Sequence, residues 1–321
     1  MKLASRLRRF QEGANAMIIL QSDGYTAWIL PGRGASCVRL SKDGAEALRT
    51  PETLDNYSSQ PFFYGTPLLF PPNRISGGTF SFDGRVYSLP VNEPKTGCFL
   101  HGTLHESAFS VVSQQETEAV LQYRATTEKP YLTWPDPFTI TVRWALSAEG
   151  LRQETRITND AALRMPTALA FHTTFNLPFA QGSAPENVRM QLDTSAEYSR
   201  NMQNYLPDGG VTADYPDRED MLQGRFSITG KNISRFFEMG DRHELVLRDE
   251  KAGLQVRYHA GDSFGYWMVV NGGHADFICV EPQSWLSNCP NAPFDRAQTG
   301  FDALAPGETR TYETMLSIES L

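Results

Sequence analysis

The chain has 321 residues and a formal net charge of −8, from 29 Lys and Arg against 37 Asp and Glu. Apolar residues make up 40%, charged residues 21% and aromatics 11%, a soluble globular composition too rich in aromatics and too poor in charge for disorder. The acidic balance, with a pI near 5.3, speaks against a nucleic-acid partner or an anionic membrane surface, and no apolar run reaches the about 18 residues of a membrane span.

Residues 1–16 are basic and lack the apolar stretch of a secretory signal. Leu3, Leu7 and Phe10 allow a short amphipathic helix there, the alternative being a ragged end. Residues 17–321 read as a single domain, with no convincing linker. With 25 glycines and 20 prolines spread along the chain, long helices are excluded from most of it. Short helices are expected near Gly44–Arg49 and around Asn56–Phe62. In Gly78–Leu89 the pair Asp83-Gly84 lies between two β-prone runs, and it supplies the positive φ angles of a type I′ hairpin. A second hairpin is expected from Phe138–Leu146 and Leu151–Thr158, with Val142, Trp144 and Leu146 on one face at period two. Further strands are expected at Ala108–Val112, Ala119–Ala125, Ala168–His172, Val188–Leu192, Leu245–Leu247, Leu254–His259, Tyr266–Val270, Phe277–Glu281 and Arg310–Ser317. Between them, the polar stretch Asn201–Gln223 reads as one long surface excursion, the kind of loop that often carries function. This density of short strands predicts an all-β sandwich or barrel. Four scattered cysteines without a CxxC predict reduced core thiols and a cytoplasmic location.

Nucleotide, GxSxG and zinc-type motifs are absent. His101 and His105 are four apart, a spacing that suits a metal only on a helix, whereas HGTLH reads as a strand end or loop. Four segments pair reactive side chains with awkward surroundings. Arg74, following Pro71-Pro72-Asn73, could donate paired hydrogen bonds to substrate oxygens or satisfy loop carbonyls. His101 precedes a glycine in CFLHG. His172 sits in the apolar, aromatic run ALAFHTTFNLPF, where burial would leave it neutral. Glu281 ends the apolar run FICVE, where a carboxylate is costly unless it is paired or used; Pro282 is expected to stop that strand.

The order and wording of NRISGG, LHG (Leu100–Gly102), FHTTFNL, ICVEPQSW and FDALAPGET (Phe301–Thr309) resemble the aldose 1-epimerase (galactose mutarotase) family, from about Tyr64 to the C-terminus. The resemblance implies a large antiparallel β-sandwich, the galactose mutarotase-like supersandwich, with the active site in a cleft. It implies Glu281 as general base and His172 as general acid, meeting across a hollow that a pyranose ring can bridge. It gives Arg74 and His101 as sugar contacts, with Asn73 beside Arg74. Trp285 could stack on a sugar ring; Trp267 reads as core. The substrate class is a small monosaccharide, and the chemistry implied needs no metal, nucleotide or redox cofactor. Oligomeric state is not legible.

There is one departure. Many members carry an Asp that holds sugar hydroxyls, and here the comparable stretch Ile233–Met239 offers Ser234 and Arg235 instead. Arg235 hints at an acidic or phosphorylated sugar, as in hexose-6-phosphate 1-epimerases, against a salt-bridged surface arginine. The missing Asp also raises the alternative of a non-catalytic sugar-binding or regulatory module. A lyase or hydrolase would want two facing carboxylates, and only one is well marked.

Overall fold

The computed structural model describes residues 17–321; the helix allowed by Leu3, Leu7 and Phe10 lies outside the described residues. The opening strands form a four-stranded antiparallel sheet, Ile18–Ser22, Tyr25–Leu30, Ser36–Lys42 and Ala45–Glu46. Two of its turns are Asp-Gly pairs with left-handed backbones, Asp23-Gly24 (φ 47° and 80°) and Asp43-Gly44 (φ 48° and 90°), the geometry of a tight hairpin. The second of these corrects the helix expected near Gly44–Arg49: the Asp-Gly turn folds Ala45–Glu46 back onto Ser41–Lys42 as a strand. The helix expected around Asn56–Phe62 is present as Leu54–Ser59 followed by a 3₁₀ turn at Pro61–Phe63.

Two large antiparallel sheets follow. The nine-stranded sheet runs Ser110–Gln114, Glu118–Ala125, Phe138–Ser147, Gly150–Asn159, Thr309–Ser320, Leu254–Ala260, Glu244–Asp249, Val188–Leu192 and Phe226–Ser227. Its central hairpin pairs Phe138↔Asn159 through Ser147↔Gly150 without a slip. Ile140, Val142, Trp144 and Leu146 alternate into the core while Thr141, Arg143 and Ala145 are partly exposed. Period two thus does on this strand what an amphipathic sheet requires. The eight-stranded sheet runs Pro207–Thr212, Thr194–Arg200, Ser234–Met239, Tyr266–Val270, Phe277–Gln283, Ala170–Phe171 and Leu68–Leu69, with Thr174–Asn176 also pairing with Phe277–Gln283. Residues of all three sheets join one buried apolar cluster. Polar ties cross between sheets: the Tyr25 hydroxyl donates to Ile318 O and accepts from its N–H, both at 2.9 Å, and Trp144 Nε1 donates to Ala35 O at 2.9 Å.

Two further expectations are corrected. Asn201–Gln223 is not one open excursion, because Pro207–Thr212 returns to pair with Thr194–Arg200 and Arg218–Leu222 is a short helix. Pro282 does not end its strand, which continues to Gln283. The even-numbered residues here point their N–H groups at the neighbouring segment: Val280 N donates to Thr173 O and Ser284 N to Leu169 O, both at 2.9 Å. The missing donor of Pro282 falls opposite Phe171, whose carbonyl is already taken by Thr173 N at 2.9 Å. The ladder therefore loses nothing at the proline. All four cysteines are buried and unpaired.

Gly102 shows how tightly the loops above this sheet are set. Its φ is 71°, and a Cβ there would stand 2.2 Å from both Phe70 O and the Tyr131 hydroxyl. Gly102→Ala is expected to destabilise the protein by roughly 2–3 kcal/mol, read as a lower midpoint in denaturant. A midpoint unchanged from wild type would show that this loop can yield.

Candidate active site

The site grows out of the gap opposite Pro282. The partner strand is broken between Ala170–Phe171 and Thr174–Asn176. Ala170 pairs with Gln283 and Thr174 with Cys279, so the break stands opposite Glu281. His172, in the break, turns its ring to Glu281, with Nε2 3.1 Å from Oε1. The two side chains are nearly sealed, at 6% exposure for His172 and 1% for Glu281.

Burial sets their protonation. It pushes the Glu281 carboxyl up to about 8, against smaller opposing contributions from Gln283, Arg74 and Arg200. It holds the His172 imidazole far below its ordinary value, and Nδ1 of that ring has no hydrogen-bond partner beyond its own backbone among the described residues. Both charged forms are penalised by lost hydration. At neutral pH the pair therefore carries one proton between two groups, a coupled site rather than two independent ones.

A buried relay fixes the carboxylate. Ser287 Oγ donates to Asn73 Oδ1 (3.0 Å), Asn73 Nδ2 donates to Gln283 Oε1 (3.1 Å), and Gln283 Nε2 donates to Glu281 Oε2 (2.9 Å). One oxygen of Glu281 is thus held, leaving Oε1 for His172 or a ligand. Asn73 has a left-handed backbone at φ 58°, a conformation that Asn tolerates better than most residues. Its Oδ1 also accepts from Arg74 N at 2.9 Å, so both ends of its amide have protein partners.

His101 also adopts a left-handed backbone, at φ 61°. Its N–H donates to Asn73 O at 3.0 Å and its Nδ1 accepts from Asn73 N at 3.3 Å. Burial, then His172, Arg74 and His105, hold its imidazole well below the usual range. A neutral ring with Nδ1 accepting presents Nε2–H as a donor. Arg74 grips Glu93 with two hydrogen bonds of 2.6 and 2.7 Å and lies over the Tyr205 ring at 4.8 Å.

These five residues border one cavity of about 430 Å³, together with Met202, Tyr205, Asn232, Ser234, Met268, Val270 and Gly272. That volume is within the range of small-ligand pockets, about 300–1,000 Å³. Phe62, from the 3₁₀ turn, packs against His101, His105 and His172 at centroid distances of 4.8, 4.7 and 5.2 Å. It shields this edge of the site from water.

The sequence profile of the aldose 1-epimerase family matches residues 17–317. The chain belongs to the aldose 1-epimerase family. A galactose mutarotase-like protein from Clostridium acetobutylicum superposes with a TM-score of 0.90 at 28% identity, covering 96% of each chain. A GalM/aldose epimerase homologue from C. elegans superposes at 0.76 with 18% identity, covering 96% of this chain and all of that one, a likeness of fold. Among curated proteins, the uncharacterized protein YphB of Escherichia coli K12 is 25% identical over 264 residues, 79% of this chain and 83% of its own. The family is one of sugar epimerases of the isomerase kind, with a small sugar as substrate.

Within this aldose 1-epimerase fold, two sequence readings change, and for Arg235 the salt-bridged alternative holds. Trp285 does not line the cavity. It is 1% exposed, stacks on Phe301 at 5.4 Å and meets Phe80 edge-on, because the chain leaves the sheet after Gln283 and turns the indole into an apolar pocket with Ala168 and Cys289. Arg235 also faces away: it makes two hydrogen bonds to Glu197 at 2.7 and 2.6 Å and packs over Phe237, so strand alternation leaves Ser234 on the cavity side. His172 and Glu281, expected to face each other across a sugar ring, touch instead. Gln283, Phe62, Tyr205, Met268 and Arg200 were not singled out; for Gln283 the signal was there, since it stands two residues after Glu281 on the same strand face. Among the described residues no helix is long and apolar enough to cross a membrane.

The raised pKa of Glu281 is also a statement about stability. The folded chain holds this proton up to about 8 while an unfolded carboxyl gives it up near 4.3. The associated stability is present below the unfolded value and is lost as pH rises through the folded one. Glu281→Gln, which cannot ionise, is expected to melt a few degrees above wild type at pH 9, with the gap closing towards pH 5. Scanning calorimetry at the two pH values checks this; a gap of equal size at both would assign it to packing instead.

Proposed function

We propose that this protein interconverts the α and β anomers of an aldose by acid–base opening and reclosure of the ring. The observation that supports the reading most directly is the 3.1 Å contact between His172 and Glu281 on the wall of the cavity. In a cyclic hemiacetal the anomeric hydroxyl and the ring oxygen share one carbon. Opening removes a proton from the first and gives one to the second. Two neighbouring protein groups holding one proton between them match that demand, and a pair separated by a full ring would not.

In this reading a sugar replaces the mutual hydrogen bond of the pair. As the sugar enters, the pair's one proton passes to His172 Nε2; Glu281 Oε1 then takes the proton from the anomeric hydroxyl as His172 Nε2 delivers its own to the ring oxygen. The C–O bond to the ring oxygen breaks and an aldehyde forms. Rotation about the bond between the carbonyl carbon and its neighbour presents the other face. On reclosure the hydroxyl formed from the ring oxygen gives its proton back to His172 as it attacks the carbonyl carbon, and Glu281 returns its proton to the anomeric oxygen, so atoms and charge balance over the cycle. His101 Nε2–H and Arg74 would hold ring hydroxyls. Gln283 and Asn73 are positioning residues, since they reach the sugar only through Glu281. Positioned acids and bases each contribute about 10²–10⁴-fold, a modest gain that suits a reaction already proceeding in water. A cytoplasmic location belongs to this proposal, in keeping with four unpaired cysteines.

Anomer exchange followed by NMR or polarimetry on a panel of aldoses tests the reading. Glu281→Gln and His172→Asn are each expected to lower kcat at least 100-fold with KM within a few-fold; rates equal to wild type would remove both residues from the mechanism. Gln283→Leu, which frees the second carboxylate oxygen, is expected to lower kcat about 10- to 100-fold and to alter the pH profile. In wild type, activity should hold through neutral pH and fall above about 8 as Glu281 loses the pair's one proton. A profile still rising at pH 9 would contradict the single-proton pair.

A further inference from the structure

Of three arginines on and behind the cavity wall, only Arg74 borders the cavity itself. Arg74 is matched by Glu93 and Arg235 by Glu197. Arg200, at the end of the strand Thr194–Arg200, has no carboxylate within ion-pair distance among the described residues. Its Nη2 donates to the Ser234 carbonyl and, at 3.2 Å, to Ser234 Oγ. Its Nη1 rests 3.7 Å from Met268 Sδ, a weak acceptor. Ser234 and Met268 both border the cavity. Met268 pairs across the sheet with Glu281, so the guanidinium reaches over the Ser234 strand towards the strand next to that of Glu281.

A largely buried cation without a partner is costly. Burial, with Arg74 next in size, draws the Arg200 guanidinium down to about 10, which leaves it charged at any physiological pH. The His172–Glu281 pair shares one proton and is neutral overall, and Glu93 cancels Arg74. The charged groups that border the cavity therefore cancel, and Arg200, set behind Ser234 and Met268 with Glu197 and Glu281 acting on it from a distance, adds one positive charge beside it. A merely structural arginine would use its donors on protein oxygens; here the protein offers one residue's hydroxyl and carbonyl, and a thioether.

We propose that the cavity selects an anionic aldose, with Arg200 receiving a carboxylate or phosphate group borne away from the anomeric carbon while that carbon lies at the His172–Glu281 pair. This rests on the mutarotase reading for the orientation of the sugar, though not for the charge of the ligand. Carboxylate and phosphate share the chemistry that a guanidinium recognises, and a free anomeric hydroxyl is required, which excludes sugars phosphorylated there.

The test compares glucose, galactose, their uronates and their 6-phosphates on the full chain. Calorimetry gives affinity and NMR exchange gives anomerisation rate. The expected result is that one anionic series exceeds its neutral parents at least 10-fold in both affinity and kcat/KM, the uronate and phosphate arms telling which group is taken. In Arg200→Gln that anionic-to-neutral ratio should fall to near one, while Arg200→Lys, which keeps the charge, should retain part of it. Neutral sugars bound and turned over as well as anionic ones would overturn the proposal and leave the mutarotase reading standing. An anionic preference in binding, lost in Arg200→Gln, with no aldose turned over would support the proposal and sink the mutarotase reading instead. Equal loss of neutral and anionic sugars in both variants, at unchanged melting temperature, would assign Arg200 to the frame of the cavity and overturn its role in selection.

Discussion

A carboxyl and an imidazole, almost shut off from solvent and 3.1 Å apart, govern what this cavity can do. Neither could be charged alone at that depth without a large cost in hydration. Together they can hold one proton in either of two places with little change in net charge. This is the condition for a group that must accept a proton and a neighbour that must deliver one within the same event. The surrounding shell serves that condition: Gln283 holds the far oxygen of Glu281, Asn73 and Ser287 hold Gln283, and Phe62 covers the imidazole rings. A polar chain of this kind is stabilising only when every member is satisfied; it ends at the His172–Glu281 contact, where a ligand would enter, and at His172 Nδ1, unpartnered beyond its own backbone among the described residues.

The backbone makes this contact possible. A regular antiparallel pair would continue the ladder past His172 and leave its side chain no freedom beyond strand alternation. Pro282 contributes no N–H at the point where Phe171 has turned its carbonyl to Thr173. The two irregularities answer each other, and the backbone polar groups remain paired. His172 is then anchored by its own N–H to Pro67 O at 2.9 Å. Asn73 and His101, both in the left-handed region and hydrogen-bonded to each other, show a second place where regular backbone is given up beside the chemistry, as is common at functional sites.

Much of the architecture was legible because it follows short-range rules. Alternation at Val142, Trp144 and Leu146 and the Asp83-Gly84 turn both give local instructions that the structure follows. The Asp23-Gly24 and Asp43-Gly44 turns carried the same instruction, yet the alanines and glutamate of Ala45–Leu48 read as helix. Their strand is instead set by pairing with Ser41–Lys42, a tertiary preference that propensity does not contain. Glu281 and His172 stood out as costly residues in apolar runs. Their direct contact did not, because it depends on the cross-strand register between segments more than a hundred residues apart. Trp285 misled for a related reason: proximity to Glu281 in sequence says nothing of direction once the strand ends at Gln283.

The strand Ser234–Met239 shows how a change at one position alters the meaning of its neighbours. Alternation assigns Ser234 to the cavity and Arg235 to the other face, where Glu197 neutralises it. The conspicuous cation in the sequence is therefore structural. Ser234, by contrast, is small and neutral, and its hydroxyl and carbonyl oxygens both accept from Arg200 on the neighbouring strand. Had this position carried an acid, the guanidinium would have met a full counter-charge, and the cavity would present carboxylate oxygens to sugar hydroxyls. With serine there, the guanidinium meets a hydroxyl and a carbonyl rather than a carboxylate.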